Sequence, residues 1–108
     1  MKKLMLGVLL AGLSLSAAAD PVKGQKYYLK YLRPLFNYNG QVFATQHLQM
    51  EWGTYFKDGG EQFIKEFSKK HPEAAEFLAS KKFQKIAPHI KDFAVKYAAD
   101  SGELPNCN

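Results

Sequence analysis

The chain has very little cysteine, and this excludes a disulfide framework. Cys107 is the single cysteine among 108 residues, so no bridge can form within one chain. The sequence also contains no Gly-rich phosphate loop, no H-E-x-x-H and no G-x-S-x-G motif. No pair of carboxylates is marked as buried by its sequence neighbours. We therefore do not predict an enzyme.

Strand-like alternation is absent as well. Apolar and polar residues nowhere alternate with a period of two for long enough to indicate a strand, and apolar residues recur at helical spacing instead. After Asp20 we find no internal repeat, low-complexity tract or linker, and a chain of this length builds one domain. We predict an all-α single domain of about five short helices over residues 20–108.

The first 19 residues are typical of a secretory signal peptide. Lys2 and Lys3 precede an apolar run that ends at Leu15, and an Ala-x-Ala site ends at Ala19. The apolar run is shorter than the roughly 20 residues that cross a bilayer. We predict cleavage after Ala19, a periplasmic location for residues 20–108, and no membrane span after cleavage.

The charge of the predicted mature chain does not indicate a nucleic-acid partner. Removal of Lys2 and Lys3 leaves 13 basic and 10 acidic side chains, a net charge of +3. The lysines are spread along the sequence rather than clustered on one predicted element.

Apolar spacing and helix-breaking residues place the predicted helices. Pro34 should end or bend the first helix, Asn37 to Gly40 should form a turn, and Asp58-Gly59-Gly60 should close the second helix. The apolar face of that second helix is predicted to consist of Ala44, Leu48, Trp52, Tyr55 and Phe56.

Prolines and a glycine delimit the second half of the chain. A third helix should stop near His71, and Pro72 suits the first position of a fourth. Ser80 resembles an N-cap for a run that Pro88 should break, so that the last helix starts at Pro88 and is capped near Gly102. The apolar stripe of the last helix is predicted to consist of Ile90, Phe93, Ala94 and Tyr97.

In the first helix, Gly24 is followed four residues later by the aromatic residue Tyr28. This pattern resembles the N-terminal helix of small class I c-type cytochromes, in which a glycine and an aromatic residue precede C-x-x-C-H. The resemblance implies that Phe93 and Tyr97 of the last helix pack on Gly24 and Tyr28, with Leu32 beside them.

The haem-binding residues of that family are replaced in this chain. Leu32 and Leu35 stand in the cysteine positions, and Phe36 stands in the histidine position. Leucine cannot form a thioether and phenylalanine has no lone pair for iron, so covalent haem is excluded and no cofactor is expected. Three large apolar side chains could fill the space that a porphyrin would occupy.

Two further features carry candidate chemistry. His47 and Met50 are three residues apart on a predicted helix, and an imidazole with a thioether suits Cu(I) or a non-covalently bound haem. The alternative is that His47 is a surface or half-buried residue and Met50 is core. His71 is interpreted as a helix-junction residue and His89 as a solvated first-turn residue.

Cys107 lies in the predicted tail. Its thiol could join two copies of the chain, form a mixed disulfide with a redox partner, or bind metal, and the alternative is an inert or capped tail residue. The sequence as a whole predicts a haem-less cytochrome-c-like binding or accessory protein for respiratory or redox proteins. The alternative is a copper or haem carrier that uses His47 and Met50.

Overall fold

Six helices make up residues 19–105, the part of the chain that this computed structural model describes. This part contains no strand, which confirms the all-α prediction. The predicted signal peptide, apart from Ala19, and Cys107 lie outside the described residues. We number the helices α1 (Pro21–Tyr27, Tyr28–Leu32 and Arg33–Phe36 in succession), α2 (Gly40–Ala44), α3 (Gln49–Tyr55), α4 (Lys57–Lys70), α5 (Pro72–Ala74 and Ala75–Leu78) and α6 (Lys81–Lys96).

Helix α1 continues past Pro34 because it widens before the proline. Asp20 caps its start by accepting a hydrogen bond from the backbone of Val22 at 2.8 Å. Residues Tyr28–Leu32 form a π-helical turn, in which the amide of Arg33 bonds to the carbonyl of Tyr28. Such a turn changes the local hydrogen-bond ladder at the place where Pro34 has no amide to donate. The helix then ends at Asn37, which has a left-handed φ of 67°.

The predicted second helix is in fact two helices. Helix α2 ends at Ala44, and α3 begins only after Leu48, whose amide donates to Glu51 Oε1 at 2.9 Å. The Trp52 indole donates to the Ala44 carbonyl at 2.9 Å and ties the two helices together. Leu48 was predicted to lie on the apolar face, and this prediction was wrong, because Leu48 precedes α3 and is 46% exposed.

The sequence Asp58-Gly59-Gly60 interrupts the helical path, as predicted. All three residues have positive φ, at 51°, 73° and 83°. Glycine adopts positive φ without steric strain, and aspartate tolerates it. The three residues together redirect the backbone into the regular part of α4. Pro72 then occupies the start of α5, as expected for proline in a first turn.

Two predictions for the last helix were wrong. Helix α6 runs unbroken from Lys81 to Lys96 with Pro88 inside it, after an N-cap at Ser80 that confirms the predicted cap. A proline inside a helix costs about 3 kcal/mol. Pro88 is exposed, so the backbone carbonyl one turn earlier, which lacks an amide partner at Pro88, can bond to water. Apolar side chains that are buried before and after Pro88 stabilise the helix across it. Helix α6 also ends before Gly102, which lies beyond the C-terminus at φ 78°.

The core lies where α1 crosses α6. A side chain at Gly24 would collide with the His89 carbonyl and would lie 2.7 Å from Phe93 Cβ, so the helices approach at backbone distance. The Tyr28 and Phe93 rings stack at 6.1 Å, and Phe93 contacts Tyr97 at 5.5 Å. With Leu32 in the same buried cluster, these contacts confirm the predicted junction of the first and last helices. No helix among residues 19–105 is long and apolar enough to cross a membrane.

Candidate functional site

Leu32, Leu35 and Phe36, the three positions predicted to correspond to a haem motif, are largely enclosed in protein. Leu32 is fully buried and Phe36 is 3% exposed, while Leu35 is half-buried at the edge of the core. The π-helical turn ends at Leu32, so the change in helical pitch includes the first of these positions and precedes the other two. Their side chains therefore contribute to the core rather than to an open pocket.

Phe36 is the centre of an aromatic cluster. Its ring stacks on His71 at 4.5 Å and lies 5.4 Å from Phe67, 6.1 Å from Phe43 and 6.3 Å from Tyr28. Rings at such distances pack closely and contribute beyond their buried area. Phe36, which is predicted to stand in the place of an iron-binding histidine, thus contacts these four rings and that of Tyr38 at 5.8 Å.

A chain of hydrogen bonds runs along one side of this cluster. The Tyr28 hydroxyl donates to the Tyr38 carbonyl at 2.6 Å, and the Tyr38 hydroxyl shares a hydrogen bond of 3.0 Å with His71 Nε2. Burial raises the pKa of Tyr28 and of Tyr38, and burial lowers the pKa of His71. The side chains of Tyr28, Tyr38 and His71 are therefore stable in their uncharged forms.

His71 was correctly predicted to lie at a helix junction, but its ring contacts were not foreseen from the sequence. It follows α4 directly, and its amide bonds to the Phe67 carbonyl at 2.9 Å. Nothing in the local sequence shows that Phe36 and Tyr38, more than 30 residues earlier, face this imidazole. The pairing arises from the packing of α1 against the end of α4.

The burial of His71 predicts a loss of stability in mild acid. Its folded-state pKa is lowered by burial, while nearby Glu73 and Lys70 act in opposite directions. The unfolded chain therefore binds more protons, so the stability present above pH 6.5 decreases as the pH falls through the folded-state pKa. We expect the melting temperature to fall between pH 7.5 and 5.5, and His71→Gln to reduce that fall.

The measurement compares the difference in melting temperature between the two pH values in His71→Gln with that in the wild type. An equal pH dependence in His71→Gln and the wild type would contradict the assignment to His71.

His89 is placed differently from its predicted position. It lies inside α6 and is half-buried, rather than solvated in a first turn, because α6 starts at Lys81 and not at Pro88. Its Nδ1 accepts a hydrogen bond of 3.1 Å from the Asp20 amide, and its ring lies 5.6 Å from Tyr27. His89 thus anchors the start of α1.

The prediction that His47 and Met50 share a helix was wrong, because His47 lies in the loop before α3 and only Met50 lies in α3. The His47 ring packs against Trp52 at 5.0 Å and Tyr55 at 4.6 Å, with Nδ1 3.3 Å from Glu51 Oε1. Its Nε2 is buried and has no hydrogen-bond partner. Met50 is 82% exposed, so it is not the core residue of the alternative interpretation, whereas His47 is half-buried.

A third ligand for a metal is not apparent in the described chain. Residues 19–105 contain no group of three or more His, Cys, Asp or Glu side chains placed to hold an ion. Cys107, the remaining thiol candidate, lies outside these residues. The pair of His47 and Met50 therefore stays a prediction.

Two surface clefts lie away from the positions that correspond to the haem motif. One, of about 380 Å³, is lined by polar and charged residues between Thr54 and Glu66. The other, of about 320 Å³, lies between α4 and α6 and includes Phe56 and Pro88. Neither is lined by Leu32, Leu35 or Phe36.

The chain matches no protein-family model, and no curated protein or solved structure is detectably similar to it. An argument about function therefore rests on its own residues and their geometry.

Proposed function

We propose that this protein is a small periplasmic binding protein without enzymatic activity, a haem-less cytochrome-c-like domain that serves respiratory or redox proteins. The observation that carries the proposal is the crossing of α1 and α6 at Gly24, with Tyr28 stacked on Phe93. This is the contact that the cytochrome resemblance implies. The periplasmic location rests on the predicted signal peptide.

The positions that correspond to the haem motif support the same proposal. Phe36 packs against five aromatic side chains, and Leu32 is fully buried in the same core cluster. A domain that uses this space for its own core keeps its shape without a cofactor. Its role would then be to present a folded surface to a partner, since Leu32, Leu35 and Phe36 cannot bond to haem.

The second candidate is a carrier of copper or non-covalent haem. It is favoured by the buried Nε2 of His47, which has no partner, and by the solvent-accessible thioether of Met50. A buried nitrogen without a hydrogen bond costs stability. If the imidazole moved toward a metal, His47 Nε2 could bind the metal and would no longer be without a partner.

One preparation from the periplasm of the native host distinguishes these candidates. We expect no haem-stained band at the mature mass after denaturing electrophoresis, no Soret band, and no stoichiometric copper. A stained band would exclude the haem-less assignment. A Soret band or copper that is lost in Met50→Leu would favour the carrier.

The binding role is tested by crosslinking a tagged copy in the native periplasm and identifying the captured protein. We expect a respiratory or redox protein. Recovery of only unrelated abundant proteins, at the level seen with an unrelated periplasmic control, would contradict the role.

A further inference from the structure

The charges of the described chain are segregated by the packing of α1 and α6. These two helices carry nine of the 13 basic side chains that follow Ala19, and their single carboxylate is Asp92. The remainder of residues 20–108 carries four basic and nine acidic side chains. The two basic helices are 45 residues apart in sequence, from Phe36 to Lys81, but they pack directly on each other at Gly24.

Two lysines from the two helices meet over one ring. The Lys30 ammonium of α1 lies 5.3 Å from the centroid of Tyr31, and the Lys82 ammonium of α6 lies 5.1 Å from the same centroid. Neither lysine forms an ion pair with a carboxylate of residues 19–105. Their positive charges also lower the pKa of Tyr31, mainly through a hydrogen bond with Lys82.

Two ammonium groups on one ring raise the positive potential around it, and an anion that binds there is attracted to both. A cation over an aromatic ring is attracted to the negative face of the ring, and this attraction does not neutralise the two ammonium groups. The site therefore attracts a negatively charged group from outside the described chain.

Neighbouring residues extend this site into a surface. The Tyr27 ring lies 6.2 Å from the Tyr31 ring and 5.6 Å from the His89 ring. Because Tyr31 contacts Lys82, the two tyrosine rings lie along the part of α6 between Lys82 and His89. Lys85 shares that face of α6, because residues three and seven apart align on a helix. Lys26 is exposed on α1 four residues before Lys30, which places the two on one side of the helix. We call the set the basic–aromatic surface, which consists of Lys26, Tyr27, Lys30, Tyr31, Lys82 and Lys85.

We propose that the basic–aromatic surface is where this protein docks onto an acidic surface of a partner protein. The inference rests on the proposed binding function and names the chemistry of its partner. Tyrosines at the centre and charged side chains at the rim are the arrangement of protein interfaces. Complementary charge at such a rim accelerates association and selects the partner.

Two other classes of partner fit the surface less well. Tyr31 stacks on Phe77 at 5.6 Å and is also covered by lysines, so its ring is not free to stack on a nucleic-acid base. Insertion into a lipid surface requires exposed apolar side chains. The large exposed apolar residues of the described chain lie outside this surface.

The test is an NMR titration of the isotope-labelled mature protein with a peptide of alternating glutamate and alanine. We expect shifts of the amides of residues 26–31 and 82–85, and weaker binding as salt increases. The double variant Lys30→Gln/Lys82→Gln should bind about fivefold more weakly, from two exposed charge pairs. Lys65→Gln/Lys69→Gln on α4 changes the net charge equally and should bind like the wild type.

Three outcomes would overturn the proposal. One is no binding of the peptide, the second is equal weakening in both double variants, and the third is binding of phosphatidylglycerol vesicles without binding of the peptide.

Crosslinking in the periplasm separates this proposal from the function on which it rests. A redox partner still captured by Lys30→Gln/Lys82→Gln would overturn the assigned surface and leave the binding function in place. Specific peptide binding without any redox partner in the periplasm would support the surface and contradict the proposed function.

Discussion

Replacing Phe93 with alanine should destabilise the protein by about 3–5 kcal/mol. Phe93 is fully buried, stacks on Tyr28 at 6.1 Å and on Phe43 at 6.4 Å, and contacts Tyr97 at 5.5 Å. Its ring also fills the space beside Gly40. Small domains have about 5–15 kcal/mol of stability in total, so the variant should melt far below the wild type or fail to fold.

Thermal and urea unfolding followed by circular dichroism measure this effect. Val22→Ala is the control, because Val22 is 72% exposed on α1 and should change the free energy of unfolding by no more than about 0.5 kcal/mol. Equal melting temperatures for Phe93→Ala and the wild type would mean that the first and last helices do not meet at this ring.

Replacing Gly24 with alanine should also be severely destabilising, although alanine favours helices. The added Cβ would overlap the carbonyl oxygen of His89 and lie 2.7 Å from Phe93 Cβ. Overpacking costs about 1–3 kcal/mol and sometimes more, and here the obstacle is backbone that cannot rotate away. We expect a loss of about 3 kcal/mol after the gain in helix propensity is included.

Gly53→Ala separates the steric effect from helix propensity. Gly53 lies inside α3, and a Cβ there would meet no atom within 4 Å. This variant should therefore stabilise the protein by about 0.5–1 kcal/mol. If both alanine variants shift the melting temperature upward, the close crossing of α1 and α6 is excluded.

The crossing at Gly24 and the basic–aromatic surface are two consequences of one packing arrangement. The same approach that brings Tyr28 onto Phe93 also brings Tyr31 under Lys82. A variant that separates the helices should thus lose peptide binding as well as stability. For this reason, Lys30→Gln/Lys82→Gln, which leaves the crossing in place, is the informative variant for binding.

The helical class and several boundaries of this protein were predictable because they depend on local chemistry. Asn37 ends α1, Asp58-Gly59-Gly60 turns the chain, and Ser80 caps α6. Each depends on a residue's own backbone preference or on a hydrogen bond to a near neighbour. The burial of Leu32 and Phe93 followed from helical periodicity in the same way.

Two features depend on the tertiary structure and not on the local sequence. These are which potential helix-breaking residues lie inside a helix, and which groups that are distant in sequence come into contact. Pro88 lies within α6 because buried side chains on both sides outweigh one lost hydrogen bond. His71 lies against Phe36 and Tyr38, and Lys30 lies beside Lys82, because helices far apart in sequence pack together. Sequence periodicity determines which face of a helix is apolar, but the partner of that face depends on how all six helices fill one core.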